Sequence, residues 1–310
     1  MKKYLKKIKL VNDLYTKWKW REQKVSYGRE NPDKVFYVIR RAGANVGLFS
    51  LVMTTLGYIK YALEQGYIPV VDMSNKDNTY MDNRLKGNVW EYYFEQPCGY
   101  SLEDIRRSKN IILGSGIIDG TVCYPDDSIA YNEELLLQWK EVSDKYLVIK
   151  NDILTELDEL KNKMFQGKKV LGVLLRGTDY ISKRPENHPI QPTIDLAIEK
   201  IDKELKNSEY EFIYLATEDQ KIYDIINKTY GDVVVSMETE RYSTTKDENI
   251  NEISIKNIEN RYEKGKEYLI NILLLAECNY LIAGNAGGSQ GALLFRNYEN
   301  GRFIFNLGKY

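Results

Sequence analysis

The sequence predicts an α/β protein in which parallel sheets are flanked by helices, and two observations predict it. Short apolar runs bounded by Gly, Pro or charge alternate with amphipathic stretches along the 310 residues, the pattern of helices layered on a parallel sheet. Several runs, Val170–Leu175 above all, are apolar at every position. A strand covered on both faces reads that way, whereas a half-exposed one alternates. The length suffices for two domains of ordinary size. The charged helical stretch of residues 133–165 marks their connection, so the expected domains are 1–150 and 151–310.

In the first half, Val35–Ile39 reads as a strand, Leu48–Glu64 as a helix and Tyr67–Asp72 as a second strand, together a βαβ unit. A polar loop follows over 72–88, then a strand at Asn110–Gly114. In the second half Val170–Leu175 is a strand. Ile194, Ala197, Ile198, Ile201 and Leu205 share one helical face, with Pro192 and Thr193 as start signals. Phe212–Ala216 (strand), Asp219–Tyr230 (helix) and Asp232–Ser236 (strand) come next. Residues 238–263 are charged and aperiodic and read as a long loop. Leu269–Cys278 (helix), Tyr280–Ala283 (strand), Gly284–Ser289 (turn), Gln290–Phe295 (helix) and Arg302–Asn306 (strand) complete the chain.

Composition excludes several classes. A net charge of −1 argues against a broad nucleic-acid surface. Three cysteines, far apart in sequence, make neither a metal pair nor a disulfide framework, so a reducing, cytoplasmic setting is expected. No apolar run approaches the roughly 20 residues of a membrane span. Lys2, Lys3, Lys6, Lys7 and Lys9 suit either a solvated, frayed terminus or peripheral contact with an anionic leaflet. Tyr, at 25 residues, far outnumbers Phe and Trp, which fits sugar contacts as well as a compositional bias.

Four clusters can carry chemistry. Arg176 and Asp179 follow the Val170–Leu175 run, where open α/β sheets place ligands. A guanidinium there matches phosphate geometry, and a structural ion pair is an equal reading. His188, the single histidine, lies nine positions beyond Asp179. Gly287, Gly288, Ser289 and Gln290 sit in a glycine-rich turn between strand and helix. Its N–H groups can meet an anion, and Ser289 is expected to cap the helix. Thr217, Glu218 and Asp219 end another strand and serve either a ligand or the cap of the next helix. Arg41, Gly43 and Asn45 lie in a strand–helix loop of the first half. No GxGxxG fingerprint supports a dinucleotide oxidoreductase.

These residues resemble a known family. GVLLRGTDY (Gly172–Tyr180) followed by His188-Pro189-Ile190 is similar to the GVHVRRTD…HP motif of α-1,6-fucosyltransferases and nodulation fucosyltransferases, and to the HVRRGDY motif of α-1,2-fucosyltransferases. FIYLATED (Phe212–Asp219) resembles their FLATDD segment, and Leu273–Phe295 their LSxADYLVxTFSSQ segment. The resemblance covers roughly residues 168–296. It implies a GT-B-like architecture, two Rossmann-like domains facing across a cleft, with the nucleotide-sugar on the C-terminal one. It implies an inverting, metal-independent transfer of fucose from GDP-fucose to a glycan acceptor in surface polysaccharide or glycoconjugate synthesis, with no cofactor. Arg176 would bind the β-phosphate. Gly177, Thr178, His188, Thr217, Glu218, Asp219 and Gly287–Gln290 would complete the donor site, and Arg41, Gly43 and Asn45 the acceptor side. Leu174 stands where the motif has its histidine, Gly177 where it has a second arginine, and Arg184 where the α-1,6 enzymes have a glutamate. Asp179 and Glu186 are then the candidate bases. A different GDP- or UDP-sugar, or a non-catalytic nucleotide-sugar binder, are the alternatives these departures raise.

Overall fold

The computed structural model describes residues 2–74, 78–85, 87–177, 184, 186–243, 260–297 and 299–310. It divides into two units. The first comprises Met1–Pro125 and Lys145–Lys150, the second Asp126–Asp144 and Asn151–Tyr310.

The first unit opens with α1 (Lys2–Lys19), a helix where a solvated, frayed terminus or a peripheral membrane contact is expected. Its sheet has the order β1 (Gln23–Val25), β4 (Ile111–Leu113), β2 (Phe36–Arg40), β3 (Ile68–Asp72). β2 runs parallel to β3 and to β4, and β1 pairs antiparallel to β4. The central strand is buried from Phe36 to Ile39, as its unbroken apolar run requires. Helix α2 (Leu48–Glu64) has the predicted limits and is buried on nearly every side. Gly57 lies where a Cβ would stand 2.5 Å from the Cys123 carbonyl oxygen, so only glycine lets that segment cross the helix so closely. The short α3 (Leu102–Arg107) starts at a reciprocal Ser101–Asp104 capping box.

In the second unit five strands lie parallel in the order β7 (Val234–Val235), β6 (Phe212–Ala216), β5 (Val170–Leu174), β8 (Tyr280–Gly284), β9 (Gly301–Phe305). Leu171, Val173, Leu175, Ile213, Leu215 and Ile282 pack with Ala197 and Ile201 of α6 (Ile194–Asn207) and with Ile222 and Ile226 of α7 (Gln220–Tyr230). The alternate positions face the other side. There Tyr214 meets Phe165 of α5 (Asn151–Phe165) and bonds to Asn271 of α8 (Arg261–Glu277). Gly172 lies against Cys278. The charged helical stretch expected over 133–165 is two helices, α4 (Glu133–Tyr146) and α5. Helices cover both faces of the sheet, which explains why its central strands carry no polar alternation.

Several boundaries move. α8 begins eight residues before the predicted Leu269, within the stretch read as a loop. The helix after β8, α9 (Gly287–Phe295), takes in residues assigned to the turn. The predicted strand Asp232–Ser236 shrinks to Val234–Val235 behind one turn of 3-10 helix. Residues 126–144, assigned by sequence to the first domain, belong to the second unit.

Candidate active site

β5 sits between β6 and β8, and the chain leaves β5 toward β6 but leaves β8 toward β9. That reversal is the switch point at which an open parallel sheet leaves a crevice beyond its carboxyl ends. The register aligns the groups there: Leu174 pairs with Ala216 on one side and Ala283 on the other. Arg176, Glu218 and Asn285 follow just past the ends of these three neighbouring strands.

The side chains confirm the alignment between β5 and β6. Glu218 Oε1 accepts from Arg176 Nε at 3.1 Å and from the Gly177 N–H at 3.3 Å. Both side chains of this ion pair are about one-fifth exposed. The carboxylate thus holds the guanidinium through Nε, and a guanidinium is a group that engages phosphate well. Glu218 is itself held by its backbone: its carbonyl accepts from Tyr242 N–H at 2.8 Å, and the Tyr242 carbonyl accepts from Gln220 N–H at 3.2 Å. Residues 236–242 therefore run beside the β6 end. Arg241 lies 3.8 Å above the Tyr223 ring and bonds to Ser236 Oγ and the Met237 carbonyl.

Thr217 and Asp219 face the other way and serve α7. Asp219 Oδ1 accepts from Lys221 and Ile222 N–H groups at 2.9 and 3.1 Å, and Asp219 N–H donates to Thr217 Oγ1 at 3.2 Å. Both are buried. Of the three, only Glu218 is directed at Arg176, and the capping role considered for the trio belongs to its neighbours. Gly177 has no room for a side chain: a Cβ would stand 2.1 Å from Asp219 Oδ2. The second arginine of the resembled motif cannot be accommodated beside this aspartate.

At the end of β8, α9 begins at Gly287. Its first intrahelical bond runs from Gln290 N–H to the Ala286 carbonyl at 3.0 Å, so the N–H groups of Gly287, Gly288 and Ser289 form the positive end of the helix. Gly288 packs where a Cβ would meet the Tyr268 hydroxyl, Ile272 and Leu174. Ser289 does not cap from in front of the helix as expected. It is the third helical residue, fully buried, and its Oγ accepts from Ala286 N–H and donates to the Ala286 carbonyl, both at 2.9 Å. Gln290 is equally committed, donating from Nε2 to Asn285 Oδ1 at 3.0 Å. The turn can therefore offer an anion its backbone rather than these side chains.

Two residues lie outside the predicted site set, Asn285 within the predicted turn and Gln191 before α6. Gln191 is buried and donates to the Asn285 carbonyl at 2.8 Å, while its Oε1 has no hydrogen-bond partner among the described residues. Asn285 is fully buried and donates to the Asp127 carbonyl at 2.8 Å. The signal was the position of Asn285 between a strand-ending glycine and the turn, which only the fold makes meaningful.

The remaining predicted residues are placed less centrally. Thr178 and Asp179 lie outside the described residues. Glu186 and His188 are exposed, and the segment is pinned by its backbone to the chain end. Asn187 N–H donates to the Tyr310 carbonyl, Tyr310 N–H to the His188 carbonyl, and Ile190 N–H to the Gly308 carbonyl, at 3.2, 3.1 and 3.0 Å. In the first unit Arg41 turns onto α2, its Nη1 donating to Thr54 Oγ1 at 2.8 Å. Burial lowers its pKa from the ordinary arginine range. Gly43 and Asn45 are exposed. The N-terminus of α2 is partly satisfied within its own unit, since Leu48 N–H donates to the Tyr80 hydroxyl at 2.8 Å.

The fold recurs in solved structures. The chain matches POFUT1 in complex with GDP-fucose with a TM-score of 0.55 at 10% identity, over 89% of this chain and 99% of that one. For POFUT1 in complex with GDP the values are 0.52 and 11%, over 87% and 98%. The fucosyltransferase NodZ from Bradyrhizobium matches with a TM-score of 0.50 at 16% identity, over 85% and 93%. No family model matches the sequence, and no curated protein does. The chain has the α/β fold of these solved structures, with a parallel-stranded sheet in each unit.

Proposed function

We propose that this protein is a glycosyltransferase that transfers fucose from GDP-fucose to a glycan acceptor, with inversion and without a metal. The observation that carries the proposal is Arg176, oriented by Glu218 at the carboxyl end of β5 beside the glycine-rich start of α9. The fold shared with fucosyltransferases, and the Gly172–Tyr180 motif they resemble, support the choice of donor.

In this reading the acceptor hydroxyl attacks the anomeric carbon as the bond to the β-phosphate oxygen breaks. The acceptor proton passes to a carboxylate, Glu186 or Asp179, and GDP leaves. Negative charge grows on the β-phosphate as that bond breaks. A guanidinium already fixed by Glu218, together with the Gly287 and Gly288 N–H groups, meets that charge without reorganising. The sugar product would enter a surface polysaccharide or glycoconjugate.

One observation favours a second donor. Leu174, where the resembled motif carries histidine, is buried against Gly288, so that point of the site offers no polar group. Another GDP- or UDP-sugar is the reading this supports. Calorimetric titration of GDP, UDP, CDP and ADP, with chelator present, separates a GDP-sugar donor from a UDP-sugar donor. GDP is expected to bind wild type, and Arg176→Ala to lose it. Turnover with GDP-fucose should fall ~10²–10³-fold in that variant, the usual cost of one preorganised donor. Near-normal turnover in a folded Arg176→Ala protein rejects the site. Preference for UDP keeps the transferase and replaces the donor.

A further inference from the structure

Helix α1 carries an apolar stripe that nothing in the described structure covers. Val11, Leu14, Tyr15 and Trp18 fall at i, i+3, i+4 and i+7, one face of a helix, and are 62%, 58%, 57% and 61% exposed. From Val11 to Lys19 every residue is exposed except Thr16, which is half-buried. The same spacing continues toward the amino end at Ile8 and Tyr4. The stripe ends in an aromatic pair, the Tyr15 and Trp18 rings 6.2 Å apart, with the Arg21 guanidinium 4.9 Å from the Trp18 ring. Beyond it the chain is anchored. Trp20 accepts from the Gly116 N–H at 2.9 Å, and the Arg40 guanidinium lies 5.4 Å from the Trp20 ring.

Charge selects the partner. α1 holds seven lysines and one aspartate, a net +6, in a chain whose total is −1, so all other residues together carry −7. Two copies of such a helix repel each other, which disfavours a self-paired coil. An apolar face ending in Trp and Tyr, on a helix otherwise rich in lysine, has the composition of a segment that lies in the plane of a bilayer interface. Tyr and Trp suit that depth because each has an apolar body and a polar edge. Among the described residues no helix is long and apolar enough to cross a membrane, and lying in the interface asks for no such length.

We infer that α1 is an amphipathic anchor that seats the protein on an anionic lipid surface, with Val11, Leu14, Tyr15 and Trp18 among the headgroups and acyl ends. This is independent of the sugar transferred, and the test does not use turnover.

The 310-residue chain is mixed with vesicles of phosphatidylcholine alone, or of about three parts phosphatidylcholine to one part phosphatidylserine. Binding is read by co-sedimentation and by the tryptophan emission maximum. The expected result is binding to the anionic vesicles with a blue shift that Trp18→Phe removes. Raising salt from about 0.1 to about 1 M, which shortens the screening length from roughly 10 to 3 Å, should weaken binding at least tenfold. Leu14→Glu with Trp18→Glu should abolish it, and Lys6→Gln with Lys7→Gln should weaken it roughly tenfold or more. Leu14 and Trp18 are exposed, so their variants should keep wild-type GDP affinity and melting temperature. No binding to anionic vesicles overturns the inference. Equal binding to neutral vesicles overturns the electrostatic selection it asserts. A concentration-dependent dimer in sedimentation, lost in Leu14→Glu with Trp18→Glu, assigns the stripe to a second protein copy instead and also overturns it.

Discussion

Gly177 and Asp219 are a matched pair. The aspartate must keep its Oδ1 on the Lys221 and Ile222 N–H groups to cap α7, which leaves its Oδ2 against the Cα of residue 177. A Cβ at 2.1 Å from that oxygen cannot be tolerated, and the aspartate is short and buried, so it yields only by leaving the helix end. Gly177→Ala should therefore destabilise the protein by about 1–3 kcal/mol, a lost cap plus local overpacking. Urea unfolding of the single and double variants checks the cause. In an Asp219→Ala background, where the cap is already gone, Gly177→Ala should cost far less. Equal costs in both backgrounds would show that something other than this contact excludes a side chain at 177.

The start of α9 decides between two roles for Ser289. As a phosphate donor, its hydroxyl would matter to affinity and little to stability. In the structure it is spent on the Ala286 backbone, half of a capping box, because Ala286 has no polar side chain to complete it. Ser289→Ala should lower stability by about 1 kcal/mol and leave GDP affinity, read by calorimetry in the folded protein, within a few-fold of wild type. A large loss of affinity at unchanged stability would return Ser289 to the donor site. The contrast marks what was legible at this scale. β5 and β6 announced themselves because strands buried on both faces are apolar throughout, and Arg176 was visible as charge at the end of such a run. Which of Thr217, Glu218 and Asp219 reaches Arg176 depends on strand parity and on the parallel register of β5 with β6, and that pairing is not written in either segment. The burial of Ser289, Gln290 and Asn285 depends on residues near 127 packing over α9, a contact across more than 150 positions. α1 escaped for a related reason: its lysines mask the apolar stripe until the helical period is imposed.

Over the whole molecule the chain changes unit three times, after Pro125, Asp144 and Lys150. A single cut near residue 150, the boundary that composition suggests, therefore separates the second unit from part of its own structure. The 126–144 segment closes over α9 and the end of β9. Tyr131 donates to the Phe305 carbonyl at 2.8 Å, Lys140 Nζ to the Leu294 carbonyl at 3.1 Å, and Lys309 pairs with Asp127 at 2.7 Å. Ile129, Leu136 and Trp139 are buried. A fragment of residues 151–310 loses these contacts, exposes the apolar back of α9 and strands the buried Asn285 amide without the Asp127 carbonyl. An unsatisfied buried donor and several uncovered apolar side chains each cost about 1–3 kcal/mol, together comparable with the stability of an ordinary domain. Residues 151–310 should consequently unfold without a sharp cooperative transition. Residues 126–310 should unfold cooperatively once Leu147→Asn and Ile149→Asn make polar the two side chains that are buried in the intact chain. Urea titrations followed by circular dichroism compare the two fragments directly. If 151–310 unfolds with the same midpoint and slope as the longer fragment, the 126–144 segment is a passenger on the second unit. If only 126–310 is cooperative, the positive end of α9 that the proposed donor site uses depends on a helix encoded before the apparent boundary.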